Sequence, residues 1–344
     1  MTREGAPVGV VATACAFPAA TRTIDEVFED EHVELSDRVR ERLGIAAVHA
    51  GGDESGADLA LAAATRALAA ADVGAKALDV IIDYTFLPQE FLVPVWNLGN
   101  KLQHELGATS AFTLGFSGGG ASNFHVALRV GTDLIRANAD VRTVLLFGAD
   151  MAIPANRVIN RDDPVTVLGD GASAAVLAAG AEANVILGTE IVSDGANHDV
   201  CYIPGGALAQ LDDDDQTDRY RLQIDVAKLG VAPMAETLGA LAGRVLEAVG
   251  AGLDDVGRFV VPNVSAADHG VYRSLWDLPE PWVGDANRAG HGHVQATDLV
   301  LNLEATLGDG GRDGGCDGGC DEGELVLVGS HGMGFTAGVA LLRH

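Results

Sequence analysis

Five polar residues in glycine-rich or turn segments carry the side chains that could do chemistry. His293 and His331 lie in GHGHV and SHGMG, Asn263 ends FVVPN, and Ser117 and Ser122 lie in GFSGGGAS. A histidine titrates near neutral pH and can act as a general base, and a serine becomes a nucleophile when such a base is within reach. The alternative is a purely structural role, in which these residues form turns and Ser122 is a helix N-cap. Both interpretations stay open at this point.

Three further histidines are interpreted structurally. His125 follows the glycine-rich turn on a helix and is expected to pack in the core. His269 and His291 are expected at the solvent or on a helix surface. None of the three is predicted to act as the base.

Acidic residues far outnumber basic ones. The 344 residues include 49 Asp and Glu against 22 Lys and Arg, a formal net charge of −27. Such a surface repels nucleic-acid phosphates and anionic membranes, and it disfavours an acidic carrier protein. The hydrophobic fraction of 48% predicts a large core, and the length suits two domains of about 170 residues.

The N-terminal segment and the cysteines indicate a cytoplasmic protein. Residues 1–20 lack the pattern of an export signal, and no run approaches the ~20 apolar residues of a membrane span. The four cysteines (Cys15, Cys201, Cys316 and Cys320) form no disulfide framework. The close pair Cys316 and Cys320 lacks two further metal ligands nearby, so no bound metal or cofactor is expected.

Strands and helices alternate along the chain. The predicted strands are Val8–Thr13, Val80–Thr85, Ala111–Leu114, Val141–Phe147, Thr166–Leu177, Asn184–Val192, Arg258–Val261, Leu325–Val328 and Gly338–Leu342. The predicted helices are Asp58–Ala71, Trp96–Leu106, Ser122–Ala137, Val231–Val249 and Gln295–Leu307. This alternation predicts an α/β protein with a parallel sheet covered by helices on both faces. Its repetition predicts two similar halves, 1–180 and 181–344.

The segment Gly308–Gly323 consists almost wholly of Gly, Asp and two Cys. It is predicted to be a surface loop between a helix and a strand. A calcium loop is the alternative, but the spacing lacks the nonapeptide repeat of a calcium β-roll.

Short motifs follow one another in a family order over nearly the whole chain. They are GVVATACAFP, RLGI, VIIDYTF, AFTL, VLLFGAD, TVLGDGASAAVLAAG, FVVPN, GHGHVQATD and LVLVGSHGMGFTAGVALLR. With them the chain resembles the ketoacyl-ACP synthase III family of the thiolase superfamily; GDGASAAVL and GMGFTAGVALLR are the most specific motifs. The resemblance implies a thiolase-like five-layered αβαβα fold of two duplicated halves, usually a homodimer.

The resemblance also implies acyl transfer from a thioester by a Cys, a His and an Asn, and the sequence departs at all three places. The family's cysteine aligns with Ala121, its histidine with Asn263 and its asparagine with His293. No cysteine lies between Cys15 and Cys201, so the nucleophile is missing or replaced.

Ser122 is the first candidate replacement, one residue after Ala121, and Ser117 is the second because the turn is about three residues longer than the family's. Either serine would need a base, with His293 or His331 in that role. The resemblance places Gly332 and Gly334 at the acyl and oxyanion pocket with Ala121. Glycines there let the backbone approach the acyl group.

The resemblance also implies which residues bind the acyl donor. Arg38, Arg42 and Arg161 align near the family's contacts with the CoA nucleotide. Lys228 matches a basic residue of the carrier-docking surface, whereas Asp268 stands where the family has an arginine.

Two functions follow from these features. The first is an acyltransferase that moves an acyl group from a CoA or carrier thioester to a small-molecule acceptor, in polyketide-type specialised metabolism. The second is a catalytically inactive partner subunit of a heterodimeric ketosynthase, for which the missing cysteine is the argument. In the first, His293 acts as base and Asn263 contacts the oxyanion.

Overall fold

The computed structural model describes residues 6–87, 90–91, 96–153, 156–204, 221–225, 227–228, 231–278, 283–307, 320–332 and 334–344, excluding the side chains of 231–233 and 283. Cys316 and most of the Gly308–Gly323 segment lie outside these ranges. Within them, no helix has the length and apolar character to cross a membrane. The same ranges contain no group of three or more His, Cys, Asp or Glu that could hold a metal.

The elements follow the predicted alternation, with several additions. The strands are β1 (Val8–Ala16), β2 (Thr21–Thr23), β3 (Ala47–His49), β4 (Val80–Asp83), β5 (Phe112–Gly115), β6 (Thr143–Asp150), β7 (Val158–Ile159), β8 (Thr166–Val167), β9 (Gly171–Ala179), β10 (Val185–Ser193), β11 (Cys201–Tyr202), β12 (Gln223–Ile224), β13 (Val256–Val260), β14 (Leu325–Gly332) and β15 (Thr336–Arg343). The helices are α1 (Ile24–Asp30), α2 (Asp37–Leu43), α3 (Gly56–Ala70), α4 (Leu98–Leu106), α5 (Asn123–Ala137), α6 (Val231–Glu247), α7 (Ala266–Trp276), α8 (Val283–His291) and α9 (Thr297–Leu307).

The main sheet joins strands from two parts of the chain, before and after residue 180, in the order β13-β14-β15-β10-β1-β9-β6-β4-β5. The two parts meet where β1 and β10 pair through Gly9 and Val185. Helices α5 and α9 contact strands of both parts and form a central layer. Helix α3 covers β1, β6 and β9 on one outer side, and α6 covers β10, β14 and β15 on the other. These are the five layers that the motifs imply; the division at residue 180 stays a prediction.

The prediction of a parallel sheet is wrong for most of the pairs. Among the described strand pairs of the main sheet, β4–β5, β4–β6 and β13–β14 are parallel. The pairs β1–β9, β6–β9, β10–β15 and β14–β15 are antiparallel. Strands buried on both faces have continuous apolar sequences whatever their direction, so hydropathy alone does not reveal whether two strands are parallel or antiparallel.

Local sequence explains the outer helix α3. The Ser55 hydroxyl caps its N-terminus by accepting a hydrogen bond from the Asp58 N–H. The Asp58 carboxylate accepts one in turn from the Ser55 N–H. Its buried face consists mostly of alanines, whose small side chains let the helix backbone lie close to the sheet. The equivalent outer layer on α6 and α7 is built from larger side chains, including Trp276 and Tyr272.

Candidate active site

A cavity of about 250 Å³ is lined by residues from both parts of the chain. Its apolar wall consists of Phe86, Ile159, Val165, Leu168, Leu222, Ile224, Met234, Val264, Ala267 and Val271. Its polar side chains are Arg42, Asp163, Thr166, Ser265, Asp268, His293, Gln295 and His331. No cysteine lines the cavity among the described residues. An apolar cavity with few polar groups is typical of a small-molecule site.

His293 is the polar group with the most defined orientation. Its Nδ1 lies 2.6 Å from Oδ2 of Asp298, and since a carboxylate can only accept, Nδ1–H is the donor. The other ring nitrogen, Nε2, is then the unprotonated one in neutral His293, which lines the cavity. This is the tautomer that a general base needs, with the carboxylate placed to stabilise the imidazolium once a proton is taken.

Asp298 is fixed by the start of α9. Its Oδ1 accepts a hydrogen bond from the Val294 N–H at 2.8 Å, and its Oδ2 accepts a second from the Asn263 N–H at 2.8 Å. The His293 backbone is held in turn, because its N–H donates to Val167 O at 2.9 Å and its C=O accepts from Gly169 N. Asp298 is not among the site residues predicted from the sequence, although an acidic residue five positions after a candidate base, at the end of GHGHVQATD, is a signal that could have found it.

His331 lies in the same cavity on the end of β14. The Tyr272 hydroxyl lies 3.1 Å from its Nδ1, and Asp268 Oδ1 lies 3.7 Å from its Nε2. Burial lowers the pKa of His331, Asp268 opposes that shift, and His293 lowers the pKa further. His331 is therefore neutral at physiological pH, and it shares one region of the cavity with Asp268 and His293.

Asn263 is fully buried beside the base but does not line the cavity. Its Oδ1 accepts a hydrogen bond from Asn302 Nδ2 at 2.9 Å, and its own Nδ2 has no partner. Its backbone N–H binds the carboxylate that orients His293. The structure thus brings Asn263 to the His293 region through Asp298, and its predicted contact with an oxyanion stays a prediction.

The two serines lie outside the cavity lining. Ser122 is fully buried, its hydroxyl 2.9 Å from Thr336 O and 3.0 Å from Ser330 Oγ. It occupies the N-cap position of α5 without a side-chain cap bond. Ser117 is exposed to solvent. His293 and His331 line the cavity and neither serine does, so the structure does not bring a serine nucleophile together with a base.

Ala121 and Gly332 both line the cavity, as the resemblance implies, whereas Gly334 does not appear in its lining. A Cβ on Gly332 would overlap the carbonyl oxygen of Gly119. Gly334 has a φ of +99°, a conformation in which a side chain is strained. Gly332 therefore requires glycine for the close approach of the glycine-rich turn to the end of β14, and Gly334 requires it for its backbone conformation.

Of the three arginines predicted to bind CoA, one reaches the cavity. Arg42 lines it, with Nη1 2.6 Å from Asp163 Oδ1 and Nη2 donating to Pro164 O at 2.6 Å. Arg38 is exposed on α2. Arg161 is half-buried, and its Nε has no hydrogen-bond partner. Lys228, matched to the carrier-docking surface, pairs with Asp199 at 2.7 Å on the exposed surface.

A buried carboxyl group lies behind the cavity wall. Asp150 Oδ1 accepts hydrogen bonds from the N–H groups of Phe86 and Leu87 at 3.0 and 2.7 Å, and its Oδ2 has no partner. Burial raises the pKa of Asp150 to about 7, against the lowering effect of those two N–H groups. Cys201 packs near the same wall, and burial raises the pKa of its thiol to about 12, so it is not a thiolate at neutral pH.

The other histidines have structural roles. The core position of His125 is confirmed: its Nε2–H donates to Val328 O at 3.0 Å, and the Ser330 hydroxyl donates to its Nδ1. The surface prediction for His269 is wrong, because it is fully buried with Nε2–H donating to Pro262 O at 2.9 Å. His291 is half-buried rather than exposed, and its ring packs against that of Phe17 in a tilted arrangement with 4.4 Å between the ring centres.

Comparison with known proteins places the chain in a family. The family model for 3-oxoacyl-[acyl-carrier-protein (ACP)] synthase III matches residues 119–195. The beta-ketoacyl-[acyl-carrier-protein] synthase III of Paramagnetospirillum magneticum is 31% identical over 342 residues, covering 96% of this chain and 97% of that protein. The one of Rhodospirillum rubrum is 32% identical over 328 residues, covering 91% and 92%.

The fold agrees with these sequence relatives. The crystal structure of 3-oxoacyl-(acyl carrier protein) synthase III from Pseudomonas aeruginosa superposes with a TM-score of 0.79 over 98% of each chain at 24% identity. The fold is therefore the thiolase-like αβαβα arrangement. The chain is a member of the beta-ketoacyl-ACP synthase III family.

Proposed function

We propose that this protein is an acyltransferase that moves an acyl group from a CoA or carrier thioester directly to a small-molecule acceptor, in a specialised polyketide-type route. The observation that carries the proposal is the His293–Asp298 pair on the apolar cavity. A base with an orienting carboxylate is what acceptor activation requires. The apolar wall suits an acyl chain.

In the proposed step, His293 Nε2 takes the proton from the acceptor's hydroxyl or amine, and the acceptor atom attacks the thioester carbonyl carbon. The C–S bond then breaks. The leaving thiolate takes the proton from His293 and departs as a thiol, which restores the base. Backbone groups around Ala121 and Gly332 border the reacting carbonyl. The acyl group is not passed to the chain, because Ser122 has its hydroxyl bonded behind the cavity.

The donor is proposed to be an acyl-CoA rather than a carrier-bound thioester. Arg42 lies on the cavity lining, and its Nε has no hydrogen-bond partner among the described residues although its terminal nitrogens contact Asp163 and Pro164. A guanidinium suits phosphate recognition. The net charge of −27 opposes an acidic carrier, and Asp268 stands where the resemblance predicts an arginine.

The test is release of free CoA from a panel of short acyl-CoA thioesters, with and without added acceptors. Direct transfer predicts release only with an acceptor, no mass increase of the protein, and loss of release in His293→Ala. A stable acyl adduct on any residue would replace direct transfer with an acyl-enzyme. No release under any condition would overturn the activity for the isolated chain.

A second proposal is the inactive partner subunit, favoured by Ala121 at the position implied for the cysteine. The His293–Asp298 contact beside the cavity argues for the enzyme instead. Size-exclusion chromatography with light scattering distinguishes them: the enzyme is proposed to be a homodimer, and a lone unstable chain indicates a missing partner.

A further inference from the structure

We propose that the acceptor is a cationic amine whose ammonium group is bound by Asp268; this rests on the proposed function. Asp268 belongs to α7, lines the cavity, and has a side chain only 11% exposed. Its Oδ2 is buried and has no hydrogen-bond partner among the residues that the structure describes. A buried carboxylate oxygen without a donor is unfavourable, so the site favours a ligand that supplies one.

The cation that Asp268 requires is not supplied by the described part of the chain. The cavity's arginine, Arg42, is paired with Asp163 at 2.6 Å. His331 Nε2 lies 3.7 Å from Asp268 Oδ1, and burial lowers the pKa of His331, so it carries no charge at neutral pH. Asp268 is therefore the lining carboxylate without a fixed positive partner in the described ranges.

A charged donor matches this site better than the alternatives. An ammonium supplies both a positive charge and several N–H donors, and charge-assisted hydrogen bonds are the stronger ones. A hydroxyl supplies one neutral donor. A carboxylate acceptor is repelled by the adjacent Asp268, whereas the overall charge of −27 attracts cations to the protein.

The reaction balances with an amine acceptor. The ammonium loses one proton to His293 Nε2, and the free amine forms a C–N bond to the thioester carbonyl carbon. The C–S bond breaks, the thiolate takes the proton from His293, and the second amine proton passes to solvent. The products are an amide, free CoA and one released proton. Asp268, His331 and His293 line the same cavity, and the charges of Asp268 and His293 both shift the pKa of His331. The bound amine and the base therefore share one region of the cavity.

Binding can be tested without turnover. Isothermal titration calorimetry at pH 7.5 compares hexylammonium chloride, 1-hexanol and sodium hexanoate on the full chain, which share one carbon skeleton. Hexylammonium should bind at least about tenfold more tightly than 1-hexanol, and hexanoate should bind more weakly than both. Equal binding of the amine and the alcohol to the wild-type protein overturns the inference, whatever any variant does.

Asp268→Asn keeps the shape and removes the charge, so it should abolish the preference for hexylammonium and leave 1-hexanol binding unchanged. Asp254→Asn removes one charge from an exposed residue and should leave the preference intact. An unchanged preference in Asp268→Asn overturns the inference. Release of CoA from butyryl-CoA with 1-hexanol but not with hexylamine also overturns the inference, while the acyltransferase proposal stands. Selective amine binding without any release of CoA contradicts the acyltransferase proposal alone.

Discussion

Oδ2 of Asp298 lies 2.6 Å from His293 Nδ1 and 2.8 Å from the Asn263 N–H. One carboxylate oxygen thus joins the two residues that occupy the positions implied for the family's asparagine and histidine. The exchange of these two residue types is accompanied by an acid that orients the histidine. This arrangement is the basis of the proposal that His293 acts as the base.

His293→Ala should lower kcat by about 10²- to 10⁴-fold, the usual contribution of a general base. Asp298→Asn should lower kcat by about 10²-fold or more because the amide favours the wrong tautomer. Asp298 does not line the cavity, so the KM for acyl-CoA should change little. Steady-state CoA release checks both variants, with Asp254→Asn as control. A raised KM with unchanged kcat in Asp298→Asn would show that Asp298 does not position the base.

Ser122→Ala should leave acyl transfer intact, because the Ser122 hydroxyl is bonded to Thr336 O and Ser330 Oγ behind the cavity. Its stability should fall by about 1 kcal/mol from the lost hydrogen bond. Intact-protein mass after incubation with acyl-CoA, followed by peptide mapping, should show no adduct on Ser122 or Ser117. An adduct that disappears in Ser122→Ala would contradict this.

Gly332→Ala should destabilise the protein by at least about 2 kcal/mol, because its Cβ overlaps Gly119 O and the glycine-rich turn must move. The turn carries Gly120 and Ala121 into the cavity lining, so acyl transfer should fall as well. Urea denaturation and CoA release measure the two effects. Gly290→Ala, in α8 with open space around the new Cβ, is the matched control and should be neutral or slightly stabilising.

Asp150 should make stability depend on pH. Burial raises its pKa from 3.8 to about 7, so the folded protein keeps a proton that the unfolded chain releases. The stabilisation is complete below the unfolded pKa and is lost as pH rises through about 7.

The variant Asp150→Asn tests this effect. Between pH 5 and pH 8 the free energy of unfolding of the wild type should fall by roughly 2 kcal/mol more than that of Asp150→Asn. Urea denaturation at the two pH values measures the difference, with Asp254→Asn as the exposed control. Parallel behaviour of the wild type and Asp150→Asn would contradict the raised pKa.

Much of the fold could be predicted from the sequence because its signals are local. Predicted helix Ser122–Ala137 is observed as Asn123–Ala137, and predicted strand Asn184–Val192 as Val185–Ser193. The predicted strand Thr166–Leu177 divides into β8 and β9 at a turn. Helices α7 and α8 were missed, although Ser265 caps α7 by accepting from the Asp268 N–H.

The sequence by itself determined the element order, the α/β class and the candidacy of His293, since periodicity, glycine-flanked motifs and composition are properties of neighbouring residues. Tertiary structure alone decided strand direction, the placement of Ser122 behind the cavity, and the contact of Asp298 with His293. Those features depend on which face a side chain takes and on segments distant in the chain. Ala121 and Ser122 are neighbours in a short 3-10 turn, Gly120–Ser122, in which successive side chains point about 120° apart. That rotation separates Ala121, on the cavity, from Ser122, buried behind it.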